Sequence, residues 1–174
     1  MEQHIKSLLS QEEIDLINIE INKIKESSEI SIWHENPGEQ RPKVTKTHQI
    51  IHNTHVGKIM FDINVPDSVK IKVQNIASEN GFIFPFHRAG YAEYSAEWGA
   101  PRLNDHIDSA ELFMVDYQLS SNTNWGLVID GNLYDLKDNE AIAFCPKRDM
   151  HGRPEKVFKD GEYVRMLFLE VLVR

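Results

Sequence analysis

The chain has a single cysteine, Cys145, so no intramolecular disulfide and no thiolate zinc cluster can form. Any metal must therefore be held by nitrogen and oxygen. Cys145 itself lies in an apolar run before Pro146 and reads as a small buried side chain rather than a nucleophile. No apolar stretch approaches the roughly 20 residues that span a bilayer, and the opening segment, residues 1–13, has no signal-peptide apolar core. A cytoplasmic protein without membrane contact is expected. Basic residues are the scarcer charge, 19 Lys and Arg against 27 Asp and Glu, which leaves a formal charge of -8 and a pI near 5.5. Such a surface repels a phosphate backbone and no basic patch offsets it, so nucleic acid is not expected as a partner. A G-x-S-x-G nucleophile elbow is missing, which leaves acyl transfer unsupported. Internal repeats and low-complexity segments are missing too.

What is present suits one domain spanning residues 1–174, because 174 residues of which 41% are hydrophobic can bury a sizeable core. Ser10 and Glu13 form a capping-box pattern, Leu9 and Ile14 a hydrophobic staple, and Ile14, Ile17, Ile21 and Ile24 recur on one face. These predict a helix from Gln11 to Glu26. A second helix is expected from Pro66, with Val69, Val73, Ile76 and Ala77 inward, ending at Asn80-Gly81 where glycine accepts a left-handed cap. Between them, Glu35 to Lys46 contains Pro37, Gly38 and Pro42 and reads as a surface loop or lid. Residues 1–81 are thus a helix-rich N-terminal support.

After Gly81 the pattern becomes short β-rich runs between turn residues: Phe82 to Tyr94, Leu112 to Leu119, Trp125 to Ile129, Leu133 to Leu136, Ala141 to Phe144, and Tyr163 to Val173. Asp130-Gly131-Asn132 and Asp160-Gly161 are hairpin signals. The fold class expected is mainly β with N-terminal helices, the β half a sandwich or small barrel.

His106-Ile107-Asp108 stands beside one of these runs, where strand alternation puts His106 and Asp108 on one face and Ile107 on the other. His151, after the run that ends at Pro146, supplies a third ligand. Two histidines and one carboxylate form a facial set that leaves three adjacent coordination positions open, as iron(II) oxygen chemistry requires, whereas a structural zinc site fills four.

His106, Asp108, His151 and Arg165 occur in the order His-x-Asp, distal His, basic residue on the last core strand. In this the sequence resembles the iron(II)- and 2-oxoglutarate-dependent oxygenases. The stretch from Tyr94 through Gly99 to Asp108 also resembles the approach to the metal in their prolyl-hydroxylase-like members. The resemblance covers about Phe86 to Val173 and implies a double-stranded β-helix, a jelly-roll or cupin-like barrel, over residues 82–174. It implies Fe(II), 2-oxoglutarate and O2, with hydroxylation as the default outcome and succinate and CO2 as co-products. It also argues against halogenation, since members that halogenate lack the carboxylate ligand that Asp108 provides.

In the family a basic residue pairs with the distal carboxylate of 2-oxoglutarate, and Arg165 is the first candidate. It shares a strand face with Tyr163, Leu167, Leu169 and Val171, where an inward charge wants an anion. The plainer reading pairs it with a carboxylate such as Glu155 or Glu170. Uninterrupted pairing across Asp160-Gly161 would set Lys156 opposite Arg165 and turn His151 away. A bulge near Pro154 would correct this, and without one Arg153 is the better partner. Tyr94 and Tyr117 are candidates for a hydrogen bond to the same carboxylate.

His87, Arg88, Arg102, Asn104 and Trp125 are candidates for the pocket of a small-molecule or peptide substrate, each with an equal structural reading. His48, His52 and His55 read as scattered strand histidines rather than a second metal site, and His4 and His34 as surface residues. Two rival functions stay open. One is a cupin-like isomerase or dioxygenase without a keto acid, echoed by Gly99, Glu111 and Pro146 but lacking the expected further histidine at Asp108. The other is a barrel that binds a ligand and performs no chemistry. The sequence leaves the oligomeric state open.

Overall fold

A computed structural model of the chain describes residues 2–26, 31–34, 43–45, 57–96, 103–108 and 111–172. Helix α1 (Gln11–Glu26) has the expected bounds. Its capping box is formed reciprocally, the Ser10 N–H donating to Glu13 Oε2 at 2.8 Å and the Glu13 N–H to Ser10 Oγ at 3.2 Å. Helix α2 (Asp67–Glu79) follows Pro66 and is closed by Asn80, with Gly81 at φ 87° in the left-handed region.

The helices are joined through Glu13, which also accepts from Ser68 Oγ at 2.6 Å and Lys72 Nζ at 2.5 Å on α2. Burial acts to raise the Glu13 carboxyl, but the bonds from Lys72, Ser68 and the Ser10 N–H outweigh it and hold the group at about 2. A carboxyl depressed in the folded state stabilises the protein above its unfolded value near 4.5 and loses that contribution as pH falls toward 2. Wild type should therefore lose stability over pH 4.5 to 2 more steeply than Glu13→Gln. Urea midpoints at a series of pH values would show it, and equal slopes would contradict it.

The strands are β1 (Gln3–Lys6), β2 (Ser31–His34), β3 (Lys43–Thr45), β4 (Gly57–Ile63), β5 (Phe86–Ser95), β6 (Leu103–His106), β7 (Leu112–Ser121), β8 (Leu127–Ile129), β9 (Asn132–Tyr134), β10 (Glu140–Phe144), β11 (His151–Arg153) and β12 (Tyr163–Leu172). They form an eight-stranded sheet in the order β1-β10-β7-β12-β5-β4-β2-β3 and a four-stranded sheet in the order β6-β11-β8-β9. All pairings are antiparallel. From β5 onward the chain passes back and forth between the two sheets strand by strand, only β8 and β9 following each other within the small one, which is the double-stranded β-helix expected from the sequence.

Each face of the large sheet is apolar for a different reason. One face packs under the helices, bringing Ile17 and Ile21 of α1 and Val69, Val73 and Ala77 of α2 onto Tyr91, Val115, Leu167 and Leu169. The other meets the small sheet and buries Ala92, Tyr94, Met114, Ile129, Phe144, Val164 and Met166 between them. Fully buried aliphatic side chains such as Leu167 each contribute roughly 1.5–3 kcal/mol by leaving water.

Several expectations need correction. The first β-run starts at Phe86 rather than Phe82, the third at Leu127 rather than Trp125, and Leu133 to Leu136 is replaced by Asn132–Tyr134. The N-terminal half is more than a helical support, because β1 and β4 extend the large sheet on either side of the core strands. Lys43–Thr45 is strand within the stretch expected to be loop, while 35–42 and 46 lie outside the described residues, as do His48, His52 and His55. Asp130 and Gly131, at φ 47° and 82°, make the β8–β9 hairpin. The Asp160-Gly161 turn makes none: β11 pairs with β6 and β8, β12 with β5 and β7, so Lys156 is not opposite Arg165.

Candidate metal centre

Strands β6 and β11 are neighbours in the small sheet, and their register sets His106 directly opposite His151. Asp108 lies just past the end of β6, where its N–H donates to the Pro146 carbonyl at 2.9 Å. The three side chains converge, with one ligand atom from each lying within 4.8 Å of the others. His106 Nε2 is 3.3 Å and His151 Nε2 4.0 Å from Asp108 Oδ1, and the imidazole centroids are 4.2 Å apart. Ligand bonds of ~2.1 Å at right angles place neighbouring donors ~3 Å apart, so small side-chain rotations close this set around an ion. The donor types, two neutral imidazoles and a carboxylate, suit iron(II). Ile107 points outward and is exposed, as alternation requires.

The loop before β11 positions two ligands at once. His151 is buried, packs against the Phe144 ring at 5.1 Å, and directs Nδ1 at the Asp149 carbonyl 3.1 Å away. A carbonyl only accepts, so Nδ1 carries the hydrogen and Nε2 presents its lone pair to the site. The same loop supplies the Pro146 carbonyl to Asp108, and it is closed by the buried Asp149 carboxylate, which accepts the Cys145 N–H at 2.8 Å. Asp149→Ala should open this loop and weaken divalent-metal binding ~10- to 100-fold, while Asp149→Asn, which can still accept that bond, should stay near wild type. Calorimetric metal titration separates the two, and equal affinities for all three proteins would contradict it.

Behind His151, deeper between the sheets, lies Arg153. It is buried, donates to the Trp125 carbonyl at 2.5 Å, and sets its other terminal nitrogen 2.7 Å from the Met166 thioether, a weak acceptor. Its guanidinium stacks 5.0 Å over the Trp125 ring. Among the described residues no carboxylate is hydrogen-bonded to it. Burial draws the guanidinium below its ordinary value, and Tyr94, Asp116 and Asp135 act against that at longer range. Tyr94 shares this space, its ring edge-on to Trp125 at 4.6 Å.

Arg165 stands on the opposite face of β12. The face is the one expected from the sequence, with Leu167, Leu169 and Val171, but it packs under the helices and not toward the triad. There Arg165 pairs with Glu93 at 3.2 Å and stacks on Tyr163. The plainer reading of this arginine is the one the geometry matches, with Glu93 in place of Glu155 or Glu170. Tyr117 also faces the helices and donates to Asn139 Oδ1 at 3.1 Å. His87 sits at a bulge between the Arg88–Glu170 and Phe86–Val171 pairs, where strict alternation does not hold, whereas Arg88 and Trp125 line the interior. Arg102 lies outside the described residues, and Asn104 occupies β6.

No protein-family model matches the sequence, and no curated protein matches it. Solved structures do match over nearly the whole chain. A collagen prolyl hydroxylase of Paramecium bursaria Chlorella virus-1, solved with 2-oxoglutarate, is 18% identical, with 99% of this chain and 96% of that one covered at a TM-score of 0.54. A prolyl-4-hydroxylase of Pseudomonas putida is 11% identical, with 98% and 92% covered and a TM-score of 0.63. The fold is that of the 2-oxoglutarate-dependent oxygenases. An epimerase of nogalamycin biosynthesis, dependent on α-ketoglutarate, shares this oxygenase fold at 8% identity, 98% and 76% coverage and a TM-score of 0.65. Within the oxygenase fold, the outcome of the reaction is set by the site and not by the scaffold.

Proposed function

We propose that the chain is an iron(II)- and 2-oxoglutarate-dependent dioxygenase that hydroxylates an unactivated C–H bond of an amino acid, a peptide-bound residue or a small metabolite. The observation that carries this reading is Arg153, a buried cation two residues beyond His151 on the same strand, with no carboxylate bonded to it among the described residues. Burying such a charge is costly unless an anion joins it. The distal carboxylate of 2-oxoglutarate, reaching inward from the triad, supplies that anion.

In this reading His106, Asp108 and His151 would hold iron(II), and the ion would supply the dioxygen chemistry that is coupled to decarboxylation of the keto acid. Arg153 fixes the far end of the cosubstrate, and the Tyr94 hydroxyl lines the same recess. Trp125 holds the guanidinium in place through its carbonyl and ring, and with Phe158, 5.6 Å from that ring, excludes water from behind it. The Nδ1–H of His151 keeps donating to the Asp149 carbonyl, which leaves Nε2 available throughout. A cupin-like enzyme without a keto acid would leave the Arg153 charge without its anion, and Arg153 therefore weighs against that alternative.

Incubation with iron(II), 2-oxoglutarate and air should yield slow succinate formation even before a primary substrate is found, abolished by omitting iron. Iron bound at the triad with no succinate formed would overturn the proposal.

A further inference from the structure

One row of side chains crosses the interior face of the large sheet at the level of the triad, and it ends in a charged pair. Register aligns Arg88 of β5 with Glu170 of β12, Glu170 with Met114 of β7, and Met114 with Phe144 of β10, the residue packed on His151. Arg88 alternates with Gly90, Ala92 and Tyr94 and so faces inward, near enough to Asp108 for the two charges to interact. Glu170 is buried, its side chain 5% exposed, and accepts from Arg88 Nε at 2.7 Å and Nη2 at 3.0 Å.

This side-on geometry uses two of the five guanidinium N–H groups and leaves the Nη1/Nη2 end as a second fork. That end is not hydrogen-bonded among the described residues, and the Arg88 side chain is 48% exposed. Glu170 thus fixes the guanidinium from one side, with the Asp62 and Asp108 carboxylates near enough to act on its charge. Asp62 of β4 stands opposite Gly90, on the same face as Arg88 and diagonal to it, and is exposed. Asp62 and Arg88 line one cavity of about 390 Å³ together with Phe86, His87 and Lys70 of α2, beside the triad rather than lined by it, and its volume is within the size range of small-ligand clefts.

We infer that the primary substrate is a free α-amino acid, its carboxylate on the outer fork of Arg88 and its ammonium facing Asp62. This rests on the oxygenase reading above and narrows it. A planar carboxylate matches the guanidinium fork in two parallel bonds, and an anion placed beside the cation at the right diagonal serves the ammonium. A residue inside a peptide has neither charge to offer.

The test uses protein loaded anaerobically with iron(II) and 2-oxoglutarate, whose weak visible charge-transfer band shifts when a substrate enters the site. Each of the 20 free L-amino acids is titrated, and each one that shifts the band is repeated as its α-amide. At least one acid should shift the band, with its amide ~10- to 100-fold weaker. Arg88→Lys keeps a charge for Glu170 but not the fork, and should weaken the acid by a similar factor, leave the amide unchanged, and form the starting band normally. A normal band that no amino acid shifts, an amide that binds as well as its acid, or an unaffected Arg88→Lys would overturn the inference while the oxygenase reading stands. Absence of the band before any amino acid is added would overturn both.

Discussion

His151→Ala should lose divalent-metal binding by more than ~100-fold while remaining folded. The bound follows because removing groups that merely orient a ligand costs 10–100-fold, and His151 provides a ligand atom itself. The two donors left, His106 Nε2 and Asp108 Oδ1, sit side by side 3.3 Å apart on one strand end. They grip an ion from one side only, whereas His151 comes from the neighbouring strand and makes the set facial. The side chain is small and its partners, the Phe144 ring and the Asp149 carbonyl, keep their other contacts, so the cost in stability is that of a modest cavity. Calorimetry with iron(II) under anaerobic conditions measures the first quantity and thermal unfolding of the metal-free protein the second. Retention of wild-type affinity would remove the triad from the account.

Arg153→Met should weaken 2-oxoglutarate by about 2–5 kcal/mol, ~30- to several-thousand-fold in Kd, and should not weaken iron(II). Its effect on stability should have the opposite sign. A buried guanidinium resting on a carbonyl and a thioether is poorly compensated for its lost hydration, and a flexible apolar side chain of similar length fills the same space without that penalty. The metal-free, cosubstrate-free variant should therefore melt at or above the wild-type temperature, by up to a few degrees per kcal/mol for a chain of this size. Gain in stability with loss of a ligand is the signature of a residue retained for binding. A variant that melts lower and binds 2-oxoglutarate normally would make Arg153 a structural residue. Arg165→Ala is the natural comparison: its partners are Glu93 and Tyr163 on the far side of the sheet, and it should leave 2-oxoglutarate affinity unchanged.

The contrast between these arginines marks what could be read from the sequence. The capping box at Ser10 and Glu13 and the apolar stripes of both helices are local signals, and the structure reproduces them to the residue. His106 and Asp108 were legible because a two-residue spacing fixes a shared face wherever the strand goes. Arg165 was misdirected by the same period-two logic. Alternation groups it with Leu167, Leu169 and Val171 correctly, but β12 lies between the helices on one side and the small sheet on the other, so both faces are apolar. Pattern alone cannot say which is the interior. The answer depends on β11 leaving its expected hairpin with β12 to pair with β6 and β8, a long-range choice that no turn residue announces. Edge strands were missed for a related reason: Gln-His-Ile-Lys in β1 alternates weakly and gains its strand only from the neighbouring β10. Arg88 was visible as a pocket candidate, but its bond to Glu170, 82 residues away, was not.

The most direct test of the central claim is the visible spectrum of the wild-type protein reconstituted anaerobically with iron(II), before and after 2-oxoglutarate. The account predicts a weak charge-transfer band that requires both additions and is displaced to much higher cosubstrate concentration in Arg153→Met. Iron bound at the triad with no band at saturating 2-oxoglutarate would contradict it.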